Sequence, residues 1–351
     1  MRSRSHFSVV DMHSAGAQAR VVLGGIPRAV GATINEKRLY LKENFDHVRK
    51  VLMYEPRGGA QMSGSLIVEP CDPRADVGII FIESGGWLTM CGAGTIGAAT
   101  ALVETGMFRP TGPETKIVFD TPAGLVTALV EVENGSVKSV SLENVASYLA
   151  VRDHRINVPG HGSVEVDIAY GGNFYVIVPA ARFGLEIRPE YAEQLVKVGR
   201  EVRAQTNAGI SVKHPLEETS ANIPNVIFAG PGSRPGTHRN LVLFGEAGVD
   251  RSPGGTGTSA RMAQAYGRGE LALDEPFIHE SIIGSVFEGR LMLTQDVGGV
   301  SMVVPRFKGR AFVIGLRNFY VDPEDPFQEG FGVGYAADAK RPTSSVRKEQ
   351  A

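Results

Sequence analysis

The chain has 351 residues, of which 42% are hydrophobic and 21% charged, and its formal net charge is −2 at neutral pH. This length favours two domains, and the near-neutral charge argues against nucleic acid or an anionic membrane as a partner. We see no apolar run of membrane-spanning length and no secretory signal. Because the chain holds only two cysteines, we expect a cytoplasmic protein without a disulfide framework.

In chain order, the first predicted elements are two strands and a helix. Apolar runs typical of strands cover 6–11 and 19–23. Thr33 is followed three residues later by Glu36, a capping box that predicts the start of a helix. The helix continues through apolar residues spaced four, three and four apart, which share one face: Leu41, Phe45, Val48 and Leu52.

The next elements surround a glycine-rich loop. Strand-type runs cover 65–69 and 77–83, and the loop then opens a helix over about 95–105, which Gly106 ends. Strands at 116–120 and 125–133 follow. Asn134-Gly135 then predicts a tight hairpin to the next alternating run.

The second half of the chain repeats this order. Strand-type runs recur at 164–170, 174–179, 225–229, 240–245, 300–304 and 311–316. A helix is predicted over about 189–205 from the apolar spacing of Tyr191, Leu195, Val198 and Val202. Another follows a second glycine-rich loop, over about 258–266, with Gly267 as its end. The repetition predicts a duplicated α+β fold that divides near 146–158, each half a mixed sheet around a central helix.

The two glycine-rich loops are near-copies. The first, Cys91–Gly97, reads CGAGTIG, and the second, Gly254–Ala260, reads GGTGTSA. Each leads into a helix N-terminus, where free amides and the helix dipole favour a carboxylate or phosphate and lower the pKa of a thiol. Cys91 is therefore the candidate reactive residue. Cys71, in VEPCDPR, is interpreted as a small buried hydrophobe.

A dinucleotide site is the competing interpretation. Gly92–Gly97 matches G-x-G-x-x-G, and Asp120 closes the following strand. However, Gly85-Gly86 and a short apolar run separate the loop from its strand, and the second loop lacks the third glycine. No Gly-Lys-Ser/Thr follows either loop, which excludes a Walker motif.

The chain resembles the proline racemase family. The resemblance rests on motifs that run in order through residues 7–335: DMHSAGAQARVV (11–22), EPRGGAQMSG (55–64), MCGAGTIGAAT (90–100), YGGNFYVIV (170–178), GVDRSPGGTGTSA (248–260), ESIIGSVFEGR (280–290) and DPEDPFQEGFG (322–332). The family comprises proline racemase, 4-hydroxyproline 2-epimerase and trans-3-hydroxy-L-proline dehydratase. The resemblance implies a diaminopimelate-epimerase-like fold with the active site between two similar lobes, and neither cofactor nor metal.

On this fold we expect an N-terminal lobe over 1–155, a C-terminal lobe over 156–318, a segment at about 319–335 that returns to the first lobe, and a disordered tail over 338–351. A homodimer is an open expectation. The expected partner is a small amino or imino acid.

The resemblance also implies a mechanism and shows where this chain departs from it. In the family's racemases and epimerases one cysteine of each lobe acts on the Cα proton. Cys91 matches the first cysteine, whereas Gly254 replaces the second. Ala93 stands where the family has His, Ala17 where it has Glu, and the family's RGHADMYG has become RGGAQMSG over 57–64.

Three functions remain open on this evidence. A single base at Cys91 suffices for dehydration of a hydroxylated imino acid, with trans-3-hydroxy-L-proline as the expected substrate. The alternatives are a racemase, epimerase or other carboxylate isomerase, and a degenerate amino-acid-binding homologue. The expected substrate contacts are Gly92, Ala93, Gly94, Asp250, Gly255 and Thr256. Of these, Thr256 is also a plain helix-capping candidate and Asp250 a turn-capping one, and His13 is expected to make a structural hydrogen bond.

Overall fold

The structure, a computed structural model, describes residues 5–216, 222–245 and 248–333; the predicted tail over 338–351 lies outside them. Four α-helices are described: α1 (Ile34–Met53), α2 (Gly92–Glu104), α3 (Ala192–Gly209) and α4 (Gly255–Gly267). The first half contains β1 (Ser5–Ser14), β2 (Ala17–Gly24), β3 (Ser63–Val68), β4 (Val77–Glu83), β5 (Gly86–Leu88), β6 (Glu114–Thr121), β7 (Gly124–Glu133) and β8 (Ser136–Glu143). The second half contains β9 (Tyr148–Val158), β10 (Gly162–Tyr170), β11 (Phe174–Pro179), β12 (Asn225–Pro231), β13 (Thr237–Phe244), β14 (Gly248–Val249), β15 (Phe277–Glu280), β16 (Val286–Val297), β17 (Val300–Gly309) and β18 (Ala311–Val321). The predicted α+β class is confirmed.

Local sequence signals explain several element ends. Thr33 caps α1 and its side chain accepts from the amide of Glu36 at 3.1 Å, while the Glu36 carboxylate accepts from Ala32 at 2.8 Å. The β7–β8 hairpin turns through Asn134 and Gly135, which both have positive φ, as a type I′ turn requires. The capping and hairpin predictions are therefore confirmed.

Several predicted helix limits are wrong. Helix α3 covers Ala192–Gly209 rather than about 189–205, because Pro189–Tyr191 form a separate 3-10 turn. Helices α2 and α4 each begin three residues earlier than expected, at Gly92 and Gly255, because their glycine-rich first turns pack closely rather than forming loops. The C-terminal glycine of α4 is not Gly267, which is still helical and lies against Leu149, but Gly269, whose φ is +74°.

The strand pairing repeats across the two halves. In the first half, β2 pairs with β3 in parallel across α1, and β4 pairs with β6 in parallel across α2. In the second half, β11 pairs with β12 across α3, and β13 pairs with β15 across α4, again in parallel. Antiparallel pairing of β8 with β17 joins the two sets. Each half thus places one glycine-led helix at the same point of its topology.

Pairing also bears on the expected lobe limits. Strand β9 pairs with β10 and shares its apolar cluster, so a limit at 155 would divide one strand between two lobes. Strand β18 pairs with β1 from Ala311 onward, so the return to the N-terminal strands starts before 319. The division into two lobes stays a prediction, with pairing that favours earlier limits.

The two central helices are enclosed by separate sets of strands. Helix α2 packs against strands of the first half and β18, and its residues from Gly92 to Val103 are all buried. Helix α4 packs against β9, β10, β11, β16 and β17. None of the helices in the described ranges is both long and apolar enough to cross a lipid bilayer. The burial leaves the N-termini of α2 and α4 as the polar ends that meet each other.

Candidate active site between two helix N-termini

The first turns of α2 and α4 touch. A β-carbon on Gly92 would lie 2.7 Å from the Cα of Gly255 and 2.7 Å from Phe307 Cζ, so only glycine fits. The first amides of a helix have no partner within it and carry the positive end of its dipole. Two such ends therefore converge on one point, where they favour a bound carboxylate.

Cys91 is the N-cap of α2. Its Sγ accepts a hydrogen bond from the amide of Gly94 at 3.3 Å, and a β-carbon on Gly94 would crowd that sulfur. Burial raises the pKa of the Cys91 thiol to about 12; the bond from Gly94 opposes this, and the carboxyls of Asp250 and Glu83 add to it. The amides of the helix end lower this pKa as expected, but burial and two nearby carboxyls outweigh them, so the net shift in the site without substrate is upward.

Gly254 is the N-cap of α4 and the counterpart of Cys91. Its φ of +75° and ψ of 119° form a backbone conformation that L-residues rarely adopt, and it offers no capping side chain. A β-carbon built there would lie 3.3 Å from Val242 Cγ2 and 3.4 Å from Asp250 Oδ2. The second helix end thus faces the cavity without a side chain of its own, with a carboxylate beside the gap.

Asp250 performs the expected turn capping and also lines the site. Its Oδ1 accepts from the amide and the hydroxyl of Ser252 at 2.8 and 2.9 Å, and its Oδ2 points toward Gly254. Burial raises the pKa of Asp250 to about 6, against the lowering effect of the Ser252 bonds and of Arg251. One carboxyl oxygen therefore holds the loop while the other is available to the cavity.

Thr256 does not cap α4. It is the second residue of the helix, and its Oγ1 lies 2.5 Å from the Tyr175 hydroxyl and 3.5 Å from Asn173 Nδ2. Burial raises the pKa of Tyr175, so the phenol stays protonated at neutral pH. This network fixes Thr256 at the cavity wall.

These residues line a cavity of about 310 Å³, a size suited to a small molecule. Gly92, Ala93, Asp250, Gly255 and Thr256, all expected contacts, line it together with Cys91 and Gly254. Gly94 does not line the cavity; its amide donates to the Cys91 sulfur and its carbonyl oxygen accepts from Ser65. Sequence reasoning missed several polar residues of the wall: Gln18, Gln61, Ser63, Glu83, Asn173, Tyr175 and Arg251. The signal for Glu83 was a carboxylate at the end of a fully apolar strand run, VGIIFIE.

Glu83 brings a second carboxyl to this cavity. It ends β4, and Arg49 Nη1 donates to its main-chain oxygen at 3.4 Å. Burial and the charge of Asp250 raise the pKa of Glu83 to about 7, although Arg49 opposes the shift. The site therefore combines one thiol and two carboxyls whose pKa values all lie above their ordinary range.

Asp120, the acidic residue of the dinucleotide-binding interpretation, has a structural role. Its Oδ2 accepts hydrogen bonds from the amides of Cys71 and Asp72 at 2.7 and 2.9 Å, so this carboxylate stabilises a loop and is not available to a ribose. His13 Nδ1 accepts from Gly16 at 3.3 Å and its ring stacks on Phe312. Within the described ranges no group of three His, Cys, Asp or Glu side chains could hold a metal ion; the expected absence of a cofactor stays a prediction.

Comparison with known proteins finds one family over nearly the whole chain. A family model described as proline racemase matches residues 9–332. A proline racemase of Acetoanaerobium sticklandii is 42% identical over 335 residues, 95% of this chain and 100% of that protein. A trans-3-hydroxy-L-proline dehydratase of Azospirillum brasilense is 41% identical over 332 residues, 94% of this chain and 99% of the relative.

The same comparison holds at the level of structure. A crystal structure of a hydroxyproline epimerase from Agrobacterium vitis, with bound trans-4-hydroxy-L-proline, superposes with a TM-score of 0.91 at 33% identity. The superposition covers 97% of this chain and 99% of that one. Relatives that share the fold over nearly their full length thus carry three different named activities.

Proposed function

This chain belongs to the proline racemase family, and on that premise we propose that it removes the Cα proton of a proline-like imino acid with Cys91 and dehydrates trans-3-hydroxy-L-proline. The observation that carries the proposal is the asymmetry of the two helix ends, with a thiol at Cys91 and no side chain at Gly254. The relatives' named activities, racemase, epimerase and dehydratase, all begin at the Cα position of an imino acid.

The convergent helix ends explain how the acidity of the Cα proton rises. The substrate carboxylate binds to the amides at Gly92 and Gly255, where negative charge that develops on the carboxylate during proton removal is stabilised. Because these amides already point to the carboxylate, no reorganisation energy is needed when negative charge develops on it. The Asp250 carboxylate complements the ammonium group of the substrate through its Oδ2.

Substrate binding also changes the state of the thiol. Burial and the two carboxyls raise the pKa of Cys91 while the site contains no cation. The ammonium group of the substrate offsets those negative charges and lowers the thiol pKa again, since an opposite charge stabilises the ionised form. Cys91 therefore becomes a base only when the correct substrate is present.

One base is enough for dehydration. In trans-3-hydroxy-L-proline the Cα hydrogen and the 3-hydroxyl lie on the same face of the ring. When Cys91 removes the proton, loss of the hydroxyl gives an enamine that tautomerises to pyrroline-2-carboxylate. No donor is needed on the opposite face, where Gly254 offers none.

A racemase or epimerase is the second candidate, and Asp250 is the observation that favours it. Its Oδ2 lies 3.4 Å from the position that a β-carbon of residue 254 would take, the counterpart of Cys91. With its pKa raised to about 6, part of this carboxyl is protonated at neutral pH and able to donate to the opposite face of Cα.

A single incubation in D2O separates these functions. L-Proline, the 4-hydroxyprolines and trans-3-hydroxy-L-proline are followed by NMR with wild-type protein and with Cys91→Ser. Pyrroline-2-carboxylate formation supports the dehydratase, whereas deuterium in both stereoisomers supports the epimerase. Exchange with retention of configuration indicates a one-base site, and no exchange with any of these substrates would exclude the dehydratase and leave an isomerase of another carboxylate or a binding protein.

A further inference from the structure

Glu83 is a carboxyl in the cavity wall to which the chemistry above gives no separate role. It follows five buried residues of β4 and pairs with Ser63 of β3 and Gly86 of β5, so its backbone position is fixed. The bond from Arg49 engages its main-chain oxygen. Within the described ranges, no hydrogen bond or ion pair reaches the Glu83 carboxylate. A carboxyl held in place by its strand is thus left with its side chain uncommitted.

The Glu83 side chain lies where two cavities meet. It lines the 310 Å³ cavity together with Cys91, and it also lines a neighbouring cavity of about 700 Å³; Leu88 and Asn225 are shared in the same way. Glu83 and Cys91 both belong to the first half of the fold, whereas Asp250 belongs to the second. The thiol and this carboxyl therefore reach the substrate from the same half of the fold.

We infer that Glu83 is the general acid of the dehydration and protonates the 3-hydroxyl as it leaves. This inference rests on the proposed dehydratase function. The Cys91 thiolate accepts the Cα proton, and the electron pair of that bond forms the new double bond between Cα and Cβ. The Cβ–O bond breaks and its electron pair takes the proton of Glu83, which releases water. After the product leaves, Cys91 gives its proton to bulk water and Glu83 takes one from bulk water, so both groups return to their starting states.

The chemistry requires such a group. Hydroxide is a poor leaving group, and its protonation during bond cleavage accelerates the step by about 10²–10⁴-fold. The leaving hydroxyl is on the same ring face as the Cα hydrogen, so its acid has to stand on the side of Cys91. Because the pKa of Glu83 is raised to about 7, this carboxyl keeps a proton near neutral pH that an ordinary glutamate has lost. The larger cavity gives the released water a place to go.

Glu83→Gln tests the role when two leaving groups are compared. With trans-3-hydroxy-L-proline, loss of the acid should reduce kcat by about 100-fold or more. With trans-3-chloro-L-proline the variant should eliminate at nearly the wild-type rate, because chloride leaves without a proton. Cα deuterium exchange on L-proline should also persist. Glu83→Asp, which keeps the acid on a shorter side chain, should recover part of the dehydration.

The outcomes distinguish this inference from the function on which it rests. If wild-type protein forms no pyrroline-2-carboxylate, the dehydratase function fails and the acid role fails with it. If wild-type protein dehydrates and Glu83→Gln does so equally well, only the acid role is excluded. An equal loss of hydroxide elimination, chloride elimination and Cα exchange in Glu83→Gln would overturn it in favour of a structural role.

Discussion

Gly92 and Gly255 lie against each other so closely that a β-carbon on Gly255 would come within 2.6 Å of the Cα of Gly92. Both residues open a helix of 13 residues, one in each half of the duplicated fold. The contact brings two sets of unpaired amides to one point, which no single helix end provides. The two helices are equivalent in length and position, but only α2 has a thiol at its N-cap, so the site is asymmetric.

This contact predicts that neither glycine tolerates a side chain. Gly92→Ala should lower the free energy of unfolding by about 1–3 kcal/mol, the usual effect of overpacking, and should abolish Cα exchange by separating the helix ends. Gly112→Ala is the matched control, since the nearest atom to its added carbon lies 3.9 Å away. Chemical denaturation and NMR exchange measure the two effects. A Gly92→Ala protein with normal stability and activity would contradict the packing argument.

Cys91 should be the residue on which all Cα chemistry depends. Cys91→Ser should reduce Cα proton exchange by orders of magnitude, because a serine hydroxyl is a far weaker acid than a thiol and supplies almost no base at neutral pH. Cys71→Ser is the control for the other cysteine, which lies near Gly31 with its sulfur 3.9 Å from that carbonyl oxygen. Equal activity of both variants would remove Cys91 from the mechanism.

Gly254 should resist replacement for a conformational reason. Its φ of +75° disfavours any L-residue, and an added carbon would lie only 3.3 Å from Val242 Cγ2, so Gly254→Ala should cost about 1–3 kcal/mol of stability. Gly254→Cys should carry a similar cost, and any inversion of configuration it restores should be accompanied by a lower melting temperature. Calorimetry measures the melting temperature of each variant, and chiral chromatography of recovered proline measures inversion of configuration. An unchanged melting temperature for Gly254→Ala would argue against the strained backbone.

The two cavity carboxyls should make stability depend on pH. The pKa values of Glu83 and Asp250 are raised to about 7 and about 6 in the folded protein, so the folded state binds more protons than the unfolded state in this range. The stability that these groups contribute is therefore lost as pH rises from 5 to 7.5. Urea unfolding across that window measures the slope. Burial lowers the pKa values of His238 and His279, which contribute a slope of the opposite sign in the same window, so the measured quantity is the difference between variant and wild type. Glu83→Gln with Asp250→Asn should remove the carboxyl contribution, and a double variant with the wild-type slope would refute the assignment.

Much of the framework was determined by local sequence. The capping box at Thr33, the turn at Asn134-Gly135 and the repeated order of strands and glycine-led helices each have a short-range physical cause. Such signals depend on neighbours within a few residues, so they can be recognised in the sequence before the fold is known. The family motifs likewise identified Cys91, Gly254 and Asp250 as residues of one site.

Only the tertiary structure decided which groups share the cavity and how they titrate. Glu83 lies eight residues before Cys91 along the chain, yet its part in the site depends on β4 ending beside α2 and on Asp250 arriving from the other half. The early start of α2 and α4 also depends on the contact of Gly92 with Gly255, which no local rule for glycine contains. The sequence by itself identified a thiol at a helix end and predicted a lowered pKa. The fold reversed that direction, because burial and two distant carboxyls act through space and outweigh the local amides.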